Sequence, residues 1–109
     1  MTLDVPKPVA EYLAAEEAKD ADALSHCFTE DGTVHDDAQD YRGRDLIRRW
    51  KRAADAKYRY VLQTVDVQTL GDLVIVRAGL TGEFPGTPVE LDHTFKLSNN
   101  KIVSLEIRS

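Results

Sequence analysis

Halfway along the chain the apolar residues stop recurring every three or four positions and begin to recur every second one; no single regular element satisfies both spacings. In the first half Val9, Tyr12, Leu13 and Glu16 fall at i, i+3, i+4 and i+7. Leu46, Ile47, Trp50, Ala53 and Ala54 form a second stripe of the same kind. From Tyr58 onward the alternation is that of strands. Gly71-Asp72 divides residues 58–70 from 73–84 as a two-residue hairpin turn of the primed kind. Helices followed by strands make an α+β chain, and 109 residues make one domain, spanning 1–109.

The first helix is expected over 6–18, capped by Asp4, with Pro6 and Pro8 in the turn that has no N–H bonds to lose. A second begins after Asp20, groups Leu24, Cys27 and Phe28, and ends at Glu30-Asp31-Gly32. Residues 33–37 form a short extended segment, and 40–42 offer another. Gly43 opens the third helix. The Gly71-Asp72 turn pairs Val67 with Val76, Val65 with Ala78 and Gln63 with Leu80, and sets Asp66 across from Arg77 on the other face. One face then collects Val61, Gln63, Val65, Val67, Val74, Val76, Ala78, Leu80 and Phe84. Phe84-Pro85-Gly86-Thr87-Pro88 is a turn. The last hairpin folds around Asn99-Asn100, but a strict two-residue loop would set Leu97, Phe95 and His93 against Ile102, Ser104 and Glu106. Shifting by one matches them with Val103, Leu105 and Ile107, so an odd loop or a bulge is expected there.

Charge and composition exclude several classes. A formal charge of −5 opposes phosphate binding, and the basic run 42–52 carries Asp45 within it, so nucleic acid is not an expected partner. No apolar run approaches the roughly 20 residues of a membrane helix, and the start of the chain lacks the basic and apolar pattern of a signal peptide. No membrane association and a cytoplasmic location are therefore expected. Cys27 is the single cysteine, expected to be a buried and inert thiol, and the three histidines lack ligand-like spacing, so no metal is expected.

The stretch PVAEYLAAEEAKDADALSHCFTEDGTVHDDAQDYRGRDLIRRW, with its Y-x-A-A helix, D-A-x-A-L turn into F-x-x-D-x-x-V and Y-R-G before the third helix, resembles the opening of the nuclear transport factor two-like superfamily. TGEFPGTPVELDHTFKLSNNKIVSLEI resembles its last strands. The nearest kin in character are SnoaL-like polyketide cyclases and ketosteroid isomerases. The resemblance implies a cone-shaped roll: three helices on a curved, mostly antiparallel sheet enclosing a pocket, in the order α-α-β-α-β-β-β-β. It also implies proton abstraction beside a carbonyl, no cofactor, and a homodimer. By the same resemblance Asp36 of Val34-His35-Asp36 corresponds to the base, and Tyr12 of Tyr12-Leu13-Ala14-Ala15 to an oxyanion donor. The isomerases' second donor, an aspartate, falls at His93 when counted from Phe95-Lys96-Leu97, or at Asp92 when the Asp-His dipeptide is matched.

These candidates have plain structural readings beside the chemical ones. Asp36 could end a strand and cap a turn, although a carboxylate among apolar groups has its charged form destabilised and becomes a better base. His93 shares a face with Leu91, Phe95 and Leu97 and points inward, as a satisfied core histidine or a proton donor. His35 and Asp36 point to opposite sides, so a regular strand turns one of them to the pocket. The Tyr12 hydroxyl needs a partner once buried, either backbone or ligand. Phe28, Trp50, Leu80 and Phe95 are expected in the pocket wall, with Gln63 as its polar member because it interrupts a run of valines. Tyr58, Tyr60, Leu62, Leu73 and Ile75 would form an outer face suited to pairing two copies. The leading expectation is a protein that takes a small hydrophobic molecule, as an isomerase or cyclase. The rival is a non-catalytic binding or dimerisation module. Epoxide hydrolysis, known from the same fold, would need an Asp-Arg-Asp set, and Arg77 is expected on the outer face.

Overall fold

The computed structural model describes residues 5–57 and 59–108. Its elements are α1 (Lys7–Ala18), α2 (Ala21–His26), β1 (Phe28–Asp36), β2 (Gln39–Arg42), α3 (Arg44–Lys57), β3 (Tyr60–Leu70), β4 (Leu73–Gly82), β5 (Val89–Ser98) and β6 (Lys101–Arg108). The six strands make one curved sheet in the order β2-β1-β6-β5-β4-β3, antiparallel throughout except where β1 runs parallel to β6. The helices pack on its concave side, and their shared core holds Val9, Leu24, Phe28, Ile47, Phe95 and Leu105 with essentially no exposure. This is the expected α+β roll, with one more short strand than the expected order counts. Among the described residues no helix is long and apolar enough to cross a membrane.

α1 begins one residue later than expected. Pro6 occupies the cap position without a side-chain bond, and the Asp4 cap lies outside the described residues. α2 is capped as expected, Asp20 Oδ1 accepting from the Ala23 N–H at 3.1 Å. It stops at His26, well short of Gly32, because the sheet captures residues 27–32. Ile102 N–H donates to the Cys27 carbonyl at 2.9 Å, and Phe28 already pairs with Ile102. Gly32 lies in a bulge of β1, where a Cβ would meet Phe28 Cβ at 2.8 Å, so glycine is required by close approach. On α3 the buried stripe is Ile47, Trp50 and Lys51, with Ala54 partly buried. Leu46 and Ala53, expected inside, are exposed.

The decisive correction is in β3. Val67 opposes Val76 and Asp66 opposes Arg77 as expected, but a bulge at Val65 then reverses the parity. Thr64 meets Ala78, Gln63 meets Gly79 and Leu62 meets Leu80. Beyond the bulge Tyr60 and Leu62 face the concave side, while Val61, Gln63 and Val65 face out. The expected outer patch therefore loses Tyr60 and Leu62; Val61, Val65 and Leu70 are the exposed apolar side chains of β3. Tyr58 lies outside the described residues. Arg77 does lie on the outer face, but it is held by β5, bonding Glu90 at 2.7 Å and Asp92 at 2.9 Å.

The last hairpin keeps its two-residue loop and carries the expected bulge. Asn99 and Asn100 both take positive φ, as a type I′ turn requires, and Leu97 pairs with Ile102. Val103 bulges, after which Phe95 meets Leu105 and His93 meets Ile107.

Candidate functional site

Between α1, α3 and the concave face lies a cavity of about 780 Å³. Leu62, Leu80, Leu91, Ile107 and Trp50 supply apolar wall, and Phe84 and Pro85 of the β4–β5 turn contribute to it. Tyr12, Asp36 and His93, from α1, β1 and β5, all line this one space. Apolar surface with a few convergent polar groups is the usual constitution of a small-molecule site.

Asp36 is the last residue of β1. Its Oδ2 accepts from the Trp50 indole N–H at 3.0 Å, which fixes the carboxylate and leaves Oδ1 for a ligand. His35 points the other way and is joined to Asp40 of β2. Thus the alternation resolves the choice between the two in favour of Asp36.

Tyr12 is buried, its ring set edge-on against Phe95 at 5.0 Å and Phe28 at 6.1 Å. Burial, then the charge of Glu16, then Tyr60 and Asp36 hold the phenol pKa well above its ordinary value. Tyr12 therefore keeps its proton and can only donate or accept as a neutral phenol.

His93 sits opposite Val76 and Ile107 in the middle of the sheet and is 4% exposed. Burial lowers its pKa; the Leu91 backbone and the charges of Glu16, Asp36 and Asp92 oppose that effect without cancelling it. The imidazole is thus neutral at pH 7. Its Nδ1 is buried and makes no well-aligned hydrogen bond.

Of the expected wall, Trp50 and Leu80 line the cavity. Phe28 and Phe95 do not: both are fully buried beneath Tyr12 and act as its backing. Gln63 does not either, because the Val65 bulge turns it outward, where it is exposed and needs no buried partner. Cys27 is buried, and desolvation pushes its thiol up to about 11, which makes it a poor nucleophile.

Two cavity groups, Glu16 and Tyr60, and the buried Lys51 that joins them escape the sequence reasoning. Glu16 is visible on the α1 stripe, where it is given no role of its own. Lys51 occupies the buried stripe of α3 as a fully buried cation, and Tyr60 joins it from β3. Lys51 Nζ donates to Asp55 Oδ1 at 2.6 Å and to the Tyr60 hydroxyl oxygen at 3.0 Å, and it is ion-paired with Glu16 Oε2. The available signal was spacing: Lys51 stands four residues after Ile47 and four before Asp55, a pattern that favours an i,i+4 ion pair.

Comparison with known proteins places this geometry. Residues 9–105 match the model of the SnoaL-like domain. A solved structure of a candidate polyketide cyclase from Sinorhizobium meliloti shares 37% identity over 96% of each chain, with a TM-score of 0.93. A Catenulispora acidiphila protein with a ketosteroid isomerase-like fold, solved with trimethylamine, shares 26% identity over 97% of this chain and 87% of its own, with a TM-score of 0.84. At 17% identity an NTF2-like protein from Cytophaga hutchinsonii shows the same fold, covering 98% and 92%, with a TM-score of 0.73. No curated protein matches the chain.

Proposed function

Because the chain belongs to the SnoaL-like domain family, we propose that it is a small-molecule enzyme that moves a proton beside a carbonyl group, as an isomerase or a cyclase. The observation that carries this reading is the meeting of Asp36, Tyr12 and His93, from three separate elements, on one largely apolar cavity. The likeness to a candidate polyketide cyclase supports it, since polyketone carbons between carbonyls are acidic enough for a carboxylate to deprotonate.

In the proposed reaction a ketone enters with its α-carbon beside Asp36 and its oxygen toward Tyr12. The free carboxylate oxygen takes the α-proton, and the C–H electron pair becomes the enolate double bond while negative charge moves to oxygen. The Tyr12 hydroxyl stabilises that charge by donating a hydrogen bond, strengthened by the apolar surroundings. Neutral His93 donates from its N–H to the same oxygen or to a neighbouring one. The protonated Asp36 then returns its proton to carbon, restoring both groups; or the enolate carbon attacks a second carbonyl carbon, whose π pair moves to its oxygen, and the proton on Asp36 passes to that alkoxide as the ring closes. Trp50 holds the carboxylate in place throughout.

The test needs no knowledge of the natural substrate. In D2O the α-protons of 2-tetralone exchange for deuterium, and NMR follows the loss. The wild-type protein is expected to accelerate exchange above buffer, and Asp36→Asn to reduce that acceleration by roughly a hundredfold or more, the scale of general-base catalysis. A passive binding module would take up the ketone and leave its exchange rate unchanged. Equal acceleration by wild type and Asp36→Asn would remove Asp36 from the reaction.

A further inference from the structure

Glu16 and Lys51 are the two buried charged side chains of opposite sign among the described residues. The Lys51 ammonium donates to Asp55 Oδ1 and to the Tyr60 hydroxyl oxygen, and it is ion-paired with Glu16 Oε2. Lys19, nearer the surface, lies 3.8 Å from both Glu16 Oε1 and Asp55 Oδ1. Two cations thus face two carboxylates, and the cluster is electrically balanced.

The balance of charge does not extend to hydrogen bonds. At 3.8 Å Lys19 is too distant to donate to Glu16 Oε1, and no described group makes a well-aligned hydrogen bond to that atom. The buried side-chain atoms left in this condition among the described residues are Glu16 Oε1 and His93 Nδ1, and both side chains line the cavity. His93 has a place in the reaction proposed above. Glu16 has none. A buried carboxylate oxygen without a donor is costly, so its retention on the wall of a ligand-sized cavity is best explained by a donor that the ligand brings.

We propose that Glu16 Oε1 forms a second polar subsite of the cavity, one that accepts a hydrogen bond from a hydroxyl group of the ligand. The ligands are therefore hydroxylated ketones, phenolic or alcoholic, and the subsite sets which of them bind and how they lie against Asp36. The word ketone rests on the function proposed above; the hydroxyl rests on Glu16 alone. The group is a neutral donor for an electrostatic reason. A ligand ammonium would stand beside Lys51 and Lys19, which already balance the carboxylates, and a ligand anion would meet Glu16 itself. A hydroxyl satisfies the oxygen without disturbing that balance. Tyr60 completes the wall here. Burial, then the charge of Glu16 and a hydrogen bond to the Glu16 side chain, push its pKa far up, so it too stays a neutral phenol.

The experiment compares affinities and needs no turnover. One-, two- and three-ring ketones are each prepared as parent, as phenols with the hydroxyl at successive ring positions, and as the matching methyl ethers. Binding is read by calorimetry on the wild-type protein, Glu16→Gln and Asp36→Asn. In wild type and in Asp36→Asn, at least one phenol is expected to bind about tenfold or more tighter than both its parent and its ether, as loss of a hydrogen bond to a charged acceptor implies. In Glu16→Gln that preference is expected to shrink severalfold. Glu16→Gln weakens the pair with Lys51, so if it fails to fold, the phenol-to-ether ratio in wild type decides. Phenols binding no tighter than ethers, or no member of the panel binding at all, would overturn the subsite: Oε1 would then be served by water. A preference that persists unchanged in folded Glu16→Gln would also overturn it. Failure of deuterium exchange with the preference intact would sink the proposed reaction and leave the subsite standing.

Discussion

His93 and Lys51 both lie buried in this molecule, and opposite solutions keep them there. Lys51 is held by three oxygens, from Glu16, Asp55 and Tyr60, around its ammonium. His93 gives up its charge because burial outweighs the acidic groups around it. That difference makes stability depend on pH in a defined direction. The unfolded chain's histidine takes up a proton near 6.5, while the folded one resists until lower pH, so the unfolded state binds more protons in that window. The contribution of His93 is therefore complete above its unfolded value and is lost as pH falls through the folded one. Denaturant titrations of wild type and His93→Gln from about pH 8 to about pH 5 are expected to diverge below pH ~6.5, wild type falling more steeply by at most about 1.4 kcal/mol per pH unit. Parallel curves would mean that His93 titrates normally in the folded protein. At this scale Tyr12 and His93 were legible as polar residues at inward positions of a regular pattern, whereas Asp36 came from the family resemblance, its strand leaving the choice between it and His35 open. Lys51 was not legible. A lysine on a stripe is ordinarily taken to extend its head to water, and its burial depends on Glu16 and Tyr60, which reach it only in the folded chain.

Two bulges govern which side chains reach the cavity, and they differed in legibility. In the last hairpin only one offset set apolar residues against apolar ones, so the conflict was written in the strands. In β3 both parities are apolar enough: Val61 and Val65 alternate as well as Tyr60 and Leu62 do, and nothing local chooses between them. The choice is made by Lys51, which requires the Tyr60 hydroxyl, and by the cavity, which receives Leu62. Deleting Val65 should remove the bulge, turn Tyr60 and Leu62 outward and bring Val61 and Gln63 in. That deletion is expected to cost about 2–3 kcal/mol or more, from a lost partner of Lys51 and lost burial of Leu62. Val65→Ala leaves the register alone at a half-exposed position and is expected to change stability by no more than ~0.5 kcal/mol. Equal midpoints for the two in urea would show that the parity of β3 is not set by this residue count. The extent of α2 was misread for a related reason: 27–32 has no strong alternation, and pairing with β6 draws it into the sheet.

For the whole molecule, the order of helices and strands was legible from the change of period, and the enclosing shape from the family resemblance. The hollow came from that resemblance alone, since no pattern of apolar residues distinguishes a packed interior from one with a cavity of about 780 Å³. The proposed chemistry rests on a ligand oxygen being received there by Tyr12. A crystal of the protein with 2-naphthol, a stable analogue of the enol of 2-tetralone, tests this directly. The naphthol ring is expected within the cavity, its oxygen about 2.7–3.1 Å from the Tyr12 hydroxyl and its edge toward Asp36. A naphthol bound on the outer face of the sheet, or within the cavity with its oxygen turned away from Tyr12, would contradict that role.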